Sequence, residues 1–246
     1  MRLAALALVA VGASATNGSL ALCGEAGCWP ATWVLGGRKC GSTSVFEWVA
    51  SRGVCVATVA DGAPRWKRKE THFWNDHKVA AAPGAAAAFA GLYPRDERCS
   101  RGFVEATPRN LHDARAPALL RAALPEAFAA ALRFVAVLRE PVARDFSDFN
   151  HVVRKATPGA EESTYERHAA CRLDRLGSGA TYDRRDRCDR ASARGFDNDL
   201  AIGFYAEQLE RWFAAFGPTR VFVVELAWLS AHFDDGTAWV PRTAAL

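Results

Sequence analysis

ATWVLGGRKCGSTSVFEWVAS, residues 31–51, holds a short β-prone run, a glycine-rich turn and then apolar residues at helical spacing. Residues 31–36 are predicted as a strand. Residues 42–51 are predicted as a helix whose inner face carries Val45, Phe46, Trp48 and Val49. The backbone N–H groups of a glycine loop that opens a helix, aided by the helix dipole, form an anion cradle. Gly36 and Gly41 have the spacing of a mononucleotide-binding loop of the form G-x-x-x-x-G-K-[ST]. Here, however, the lysine stands at Lys39, inside the loop, and position 42 is serine, which disfavours an ordinary ATPase or kinase. Arg38, Lys39, Gly41, Ser42, Thr43 and Ser44 are the candidate anion-binding residues, and a purely structural turn is the alternative.

Outward from this stretch, the same rhythm continues. Residues 69–74 and 102–106 are predicted as further strands, 134–138 (FVAVL) as a fully buried one, and 221–224 as a fifth after a helix over 200–216. Short strands alternating with helices predict an α/β domain: three layers, P-loop-like, with a central, mainly parallel sheet flanked by helices. Residues 80–90, alanine-rich around Pro83 and Gly84, read as a solvated helix or low-complexity loop. Residues 161–194 carry charges of both signs and read as a surface insertion.

The chain has 246 residues, half of them apolar, which suits one full core. No apolar run is long enough to span a bilayer as a helix. The net charge of +4, mixed in sign along the chain, does not argue for nucleic-acid binding. Arginine far outnumbers lysine, which occurs only at Lys39, Lys67, Lys69, Lys78 and Lys155. Guanidinium suits bidentate recognition of phosphate, sulfate or carboxylate.

Residues 1–15 read as a secretory signal with Ala13-Ser14-Ala15 as its cleavage site; the rival is a signal anchor extending to about residue 22, the one reading that would tie the chain to a membrane. Asn17-Gly18-Ser19 is a glycosylation triplet. Seven cysteines fit an oxidising lumen, with Cys23 and Cys28, and Cys171 and Cys188, as candidate local staples and at least one thiol left over. No zinc-ligand spacing is present.

Five motifs in order resemble one family, the sulfotransferases that use 3'-phosphoadenosine 5'-phosphosulfate (PAPS), and within it the Golgi carbohydrate branch that includes heparan sulfate and chondroitin enzymes. Residues 37–44, GRKCGSTS, are similar to its 5'-phosphosulfate loop. Residues 69–74, KETHFW, are similar to K-E-x-H-F-F, and 105–108, EATP, to E-K-[ST]-P. Residues 138–149, LREPVARDFSDF, are similar to the 3'-phosphate motif L-R-[DE]-P-x-x-R-x-x-S-x-[YF]. Residues 203–212 look like the later G-x-Y-x-x-Q-L-x-x-W helix.

The resemblance implies PAPS as co-substrate, no metal, a carbohydrate acceptor and a Golgi-luminal or secreted location. It assigns Lys39 to the departing bridging oxygen, the loop to the 5'-phosphosulfate, and Arg139 and Ser147 to the 3'-phosphate. Independently, Arg139 ends a buried strand, Pro141 suits the first position of a helix, and Ser147 lies about two turns into it; an ion pair of Arg139 with Glu140 or Asp145 is the alternative, and Arg144 is open between a further phosphate ligand and a solvated residue. Glu70 is the candidate general base, with its pKa expected to be raised by semi-apolar surroundings; a surface ion pair with Lys69 or an arginine is the alternative. His72, on the same face of the expected strand, is the candidate to orient base or acceptor. Ala106 replaces a lysine of many heparan sulfate enzymes, and Cys40 replaces a small residue or threonine. No K-G-R-like segment follows Leu229, so the domain over 31–246 is expected to lack its C-terminal lid. A degenerate glycan- or nucleotide-binding relative and an ATP-dependent phosphotransferase remain alternatives.

Overall fold

The computed structural model describes residues 22–58, 66–151, 164–177 and 201–232. The expected signal segment and residues 233–246, where a lid would fall, lie outside the described residues. Two compact units are present: residues 1–138 with 206–246, and residues 139–205. Each is described by itself.

In the first unit four strands, β1 (Thr32–Val34), β2 (Val104–Glu105), β3 (Arg133–Leu138) and β4 (Val221–Glu225), form one parallel sheet in the spatial order β2-β1-β3-β4. Trp33 pairs with Glu105 on one side and with Phe134 on the other, and Phe134 with Val221. β1 and the centre of β3 are buried on both faces, as expected where helices flank a parallel sheet. The α/β, P-loop-like class is therefore as read from the sequence. Helix α1 (Ser42–Ser51) has the expected bounds and buries Val45, Phe46 and Val49. β4 and the helix before it also lie where expected, the latter as Tyr205–Phe216.

Residues 69–74 are not a strand. A helical turn, α2 (Trp66–Lys69), is followed by a tight turn in which His72 is left-handed at φ 53°. The alternation of K-E-T-H-F-W mimics a strand, but its backbone pairs with the sheet only through Ala106 N–H, which donates to Lys69 O at 3.0 Å. The alanine-rich segment forms a short helix as expected, exposed at Ala87 and Ala88 but buried on its other side. α3 (Ala85–Ala90) seats Phe89, fully buried, among Trp29, Trp33, Phe73, Trp74 and Tyr93, with ring centroids 5.1–5.5 Å away.

Disulfides join Cys23 to Cys28, as expected, and Cys55 to Cys99. The second closes a 44-residue separation, worth about 4 kcal/mol by loop entropy. Cys171 is disulfide-bonded, whereas Cys188 lies outside the described residues. Among the described residues the free cysteine is the buried Cys40. The disulfides are compatible with a secreted or luminal protein, and no described helix is long and apolar enough to cross a membrane.

The second unit contains α4 (Pro141–Phe149) and α5 (Tyr165–Gly177), the latter being the described part of the charged segment. Glu140 caps α4, accepting from Val142 N–H at 2.9 Å and Ala143 N–H at 2.6 Å, and Pro141 takes the first helical position. Those two amides and the exposed position explain why Glu140 is held below the usual carboxylate range. Arg144, open in the sequence between a phosphate ligand and a solvated residue, is fully buried: it donates to Asp145 at 2.9 Å and to Asp148 at 3.4 Å. Spacing alone could not distinguish these faces, because the apolar residues Val142 and Phe146 are the exposed ones.

Candidate active site

The glycine loop leaves the carboxyl end of β1. That strand is where the chain order of the sheet reverses, with β2 on one side and β3 on the other, and ligands of open α/β sheets bind in the crevice at such a switch point. Gly37 N–H donates to Val137 O at 3.0 Å, lacing the loop to β3, and Cys40 N–H donates to Gly37 O at 3.0 Å, tightening it. Lys39 is left-handed at φ 67°. Gly41 is left-handed at φ 86°, a backbone conformation that favours glycine, and a Cβ there would push Leu226 Cδ1, 2.5 Å away, aside. No side chain caps α1. Its first amides, at Ser42, Thr43 and Ser44, are oriented as helix N-terminal donors. Thr43 and Ser44 are exposed there, but Ser42 is buried.

Ser42 is buried because it meets a residue from another element. Lys69 Nζ donates to Ser42 Oγ at 3.3 Å and to Glu70 Oε1 at 2.5 Å, with Lys69 only 5% exposed. A buried ammonium is costly unless paired, and Glu70 supplies the pair. The alternative read from the sequence, a Glu70–Lys69 ion pair, is thus present, with Lys69 buried where a surface pair was expected.

Glu70 Oε2 lies 3.2 Å from His72 Nε2, and His72 Nδ1 lies 3.2 Å from Asn75 Oδ1. Thus the two residues meet although the expected strand is absent: the left-handed His72 turns its ring back toward Glu70. The Glu70 pKa is not raised. Burial pushes it up, but the hydrogen bond with His72 and the charge and hydrogen bond of Lys69 more than offset this and lower it. His72 is raised, chiefly by its bond to Glu70. Glu70 is consequently an ionised carboxylate at neutral pH, and its side chain remains 22% exposed. It is able to accept a proton.

The turn is backed by Glu105 at the end of β2, which is 1% exposed. Thr107 N–H donates to both of its oxygens at 3.1 Å, Thr107 Oγ1 donates to Oε1, Thr71 Oγ1 donates to Oε1 at 3.2 Å, and Asn110 Nδ2 donates to Oε2 at 3.2 Å. Burial nonetheless moves Glu105 above the ordinary carboxylate range. Sequence reasoning recorded this residue only within its motif.

Arg139 and Ser147 belong to the second unit. Arg139 directly follows β3, its carbonyl accepting from Tyr205 Oη at 2.8 Å, and Ser147 is half-buried on α4. Of the two alternative partners for Arg139, Glu140 feels its charge, which helps to lower that carboxylate, and Asp145 accepts from Arg144 at 2.9 Å and Arg172 at 3.5 Å. Among the described residues no cluster of His, Cys, Asp or Glu has the arrangement of a metal site.

No protein-family model matches the chain, and no curated protein is significantly similar to it. Among solved structures it is similar to the crystal structure of a sulfotransferase from Alicyclobacillus acidocaldarius, with a TM-score of 0.56, 19% identity, and coverage of 89% of this chain and 86% of that one. At that identity the likeness is one of fold alone, a parallel sheet flanked by helices.

Proposed function

We propose that this protein transfers a sulfuryl group from PAPS to a hydroxyl or amine of a carbohydrate acceptor in the secretory pathway, in the manner of the Golgi carbohydrate sulfotransferases. The observation that carries the reading is the adjacency of two chemistries. A half-exposed, ionised Glu70 is joined through Lys69 to Ser42, the first residue of the uncapped helix beside the glycine loop. An anion cradle and a proton acceptor are what sulfuryl transfer requires of a protein, whose work is positioning and charge neutralisation.

PAPS supplies the sulfuryl group on a good leaving group. The amides of Gly41, Ser42, Thr43 and Ser44, with Arg38, hold its 5'-phosphosulfate, and Lys39 neutralises the oxygen on which charge develops. Arg139 and Ser147 are proposed as 3'-phosphate ligands on the resemblance of their motif. As the acceptor oxygen bonds to sulfur and the bond from sulfur to the bridging oxygen breaks, Glu70 takes the acceptor's proton. His72 orients Glu70, and Lys69 keeps it ionised. A lowered pKa makes Glu70 a modest base that is always available at neutral pH.

Thermal unfolding with PAP, with ATP and Mg2+, and without nucleotide tests the reading. PAP at a hundredfold its Kd is expected to stabilise the protein by about 2.7 kcal/mol, and Lys39→Ala to remove most of that gain. Stabilisation by ATP and Mg2+ alone would identify a phosphotransferase instead; no response to either nucleotide would leave a non-catalytic relative. Radiolabelled sulfate transfer to heparan- and chondroitin-type oligosaccharides then identifies the acceptor.

A further inference from the structure

The turn that carries Glu70 and His72 is strained, and something must hold it. A histidine at φ 53° is costly in an isolated chain. Its own hydrogen bond to Glu70 is half-exposed, with the His72 side chain 39% accessible, and is too weak alone to fix the backbone. The fully buried restraint lies behind it.

Two threonine hydroxyls face that turn from behind. His72 N–H donates to Thr107 Oγ1 at 3.1 Å, and Phe73 N–H donates to Thr71 Oγ1 at 3.4 Å. A hydroxyl carries one proton and two lone pairs. It accepts from an amide reliably only if its proton is engaged elsewhere. Both protons are engaged on the same atom, Glu105 Oε1. All the contacts of the Glu105 carboxylate are with donors, so its charged form satisfies the set, and a donor placed there would not.

We propose that Glu105 is a positioning residue for Glu70 and His72: its buried carboxylate takes the protons of Thr71 and Thr107, which turns their lone pairs toward the amides of the strained turn and sets His72 Nε2 against Glu70. The functional part of this inference rests on the sulfuryl-transfer reading; the geometric part does not. Removing both acceptor oxygens leaves the two hydroxyl protons without that shared partner, so the hydroxyls rotate and the amides of the turn lose their fixed acceptors. The histidine then drifts from the carboxylate it orients.

Side-chain NMR titration of His72, assigned by its loss in His72→Asn and recorded without substrate, reads the geometry directly. In the wild type His72 titrates above an ordinary histidine. In Thr107→Val, which leaves the Glu105 charge in place, its pKa is expected to fall toward the ordinary value, and in Thr107→Ser to be retained. Glu105→Met, which removes both acceptor oxygens, should behave as Thr107→Val does, with PAP affinity by calorimetry unchanged and kcat for transfer from PAPS about 100-fold lower at constant KM. Should Thr107→Val not fold, Thr71→Val, which releases only Phe73, gives the same reading with a smaller shift. An unchanged His72 titration in folded Thr107→Val and Glu105→Met overturns the proposal. If the wild type transfers no sulfate at all, the function fails while the titration still decides the role of Glu105.

Discussion

Glu70 and Arg144 each sit at the heart of a polar cluster, one in each unit, and the two clusters use the same chemistry to different ends. Around Arg144 the charges are sealed: Arg144 and Asp148 have fully buried side chains and Asp145 nearly so, with Tyr165 and Arg172 closing the remaining side. Around Glu70 only the supports are sealed. Lys69 and Glu105 are buried, while the Glu70 and His72 side chains keep 22% and 39% of their surface. A closed network holds a helix pair in register; one with a buried back and an open front presents a carboxylate to something that arrives. Burial, more than charge content, separates the structural cluster from the one proposed to react.

Substitution can break that contrast. The largest expected effect is on the open cluster: Glu70→Gln should lower the transfer rate on the order of 10³-fold, with PAP affinity nearly unchanged and the urea midpoint lowered, because buried Lys69 loses its carboxylate partner. A fully active variant would remove Glu70 as the base. Next in size, Arg144→Met should cost about 3–5 kcal/mol in urea unfolding, because it leaves buried carboxylates uncompensated. A loss below about 1 kcal/mol, within the range of exposed pairs, would mean that the sealed cluster is not structural.

Smallest is the pH dependence. The lowered Glu70 contributes stability that is present above the ordinary carboxylate range and lost as pH falls through its folded value. The raised His72 contributes stability that is present below the ordinary histidine value and lost as pH rises through its folded value. The pair therefore supports the fold most in the weakly acidic window between them. The difference in melting temperature between wild type and His72→Asn should peak there; a difference independent of pH would sharpen the comparison against an ionic Glu70–His72 contact.

Much of this was legible from the residues. The run from Thr32 to Ser51 announces strand, loop and helix because apolar period and glycine placement agree, and the buried strand at 133–138 is announced by its unbroken apolar run. The turn at 70–73 was misread as a strand because alternating residue types look alike in a strand and in a turn whose polar groups bond inward. Phe89 was hidden among alanines, since a single aromatic residue in a low-complexity segment has no periodicity. Arg144 was hidden because its partners, Asp145 and Asp148, make a surface-like charge pattern.

By itself the sequence determined the parallel α/β class, the position of the glycine loop and the residues able to bind an anion or take a proton, since these follow from local period, turn chemistry and side-chain type. Only the tertiary structure decided that Lys69 joins Ser42 to Glu70, that Glu70 is held below its ordinary pKa instead of above it, and that Glu105 stands behind the turn. Those facts depend on contacts between residues 27 to 35 positions apart, and on a desolvation that no local pattern records.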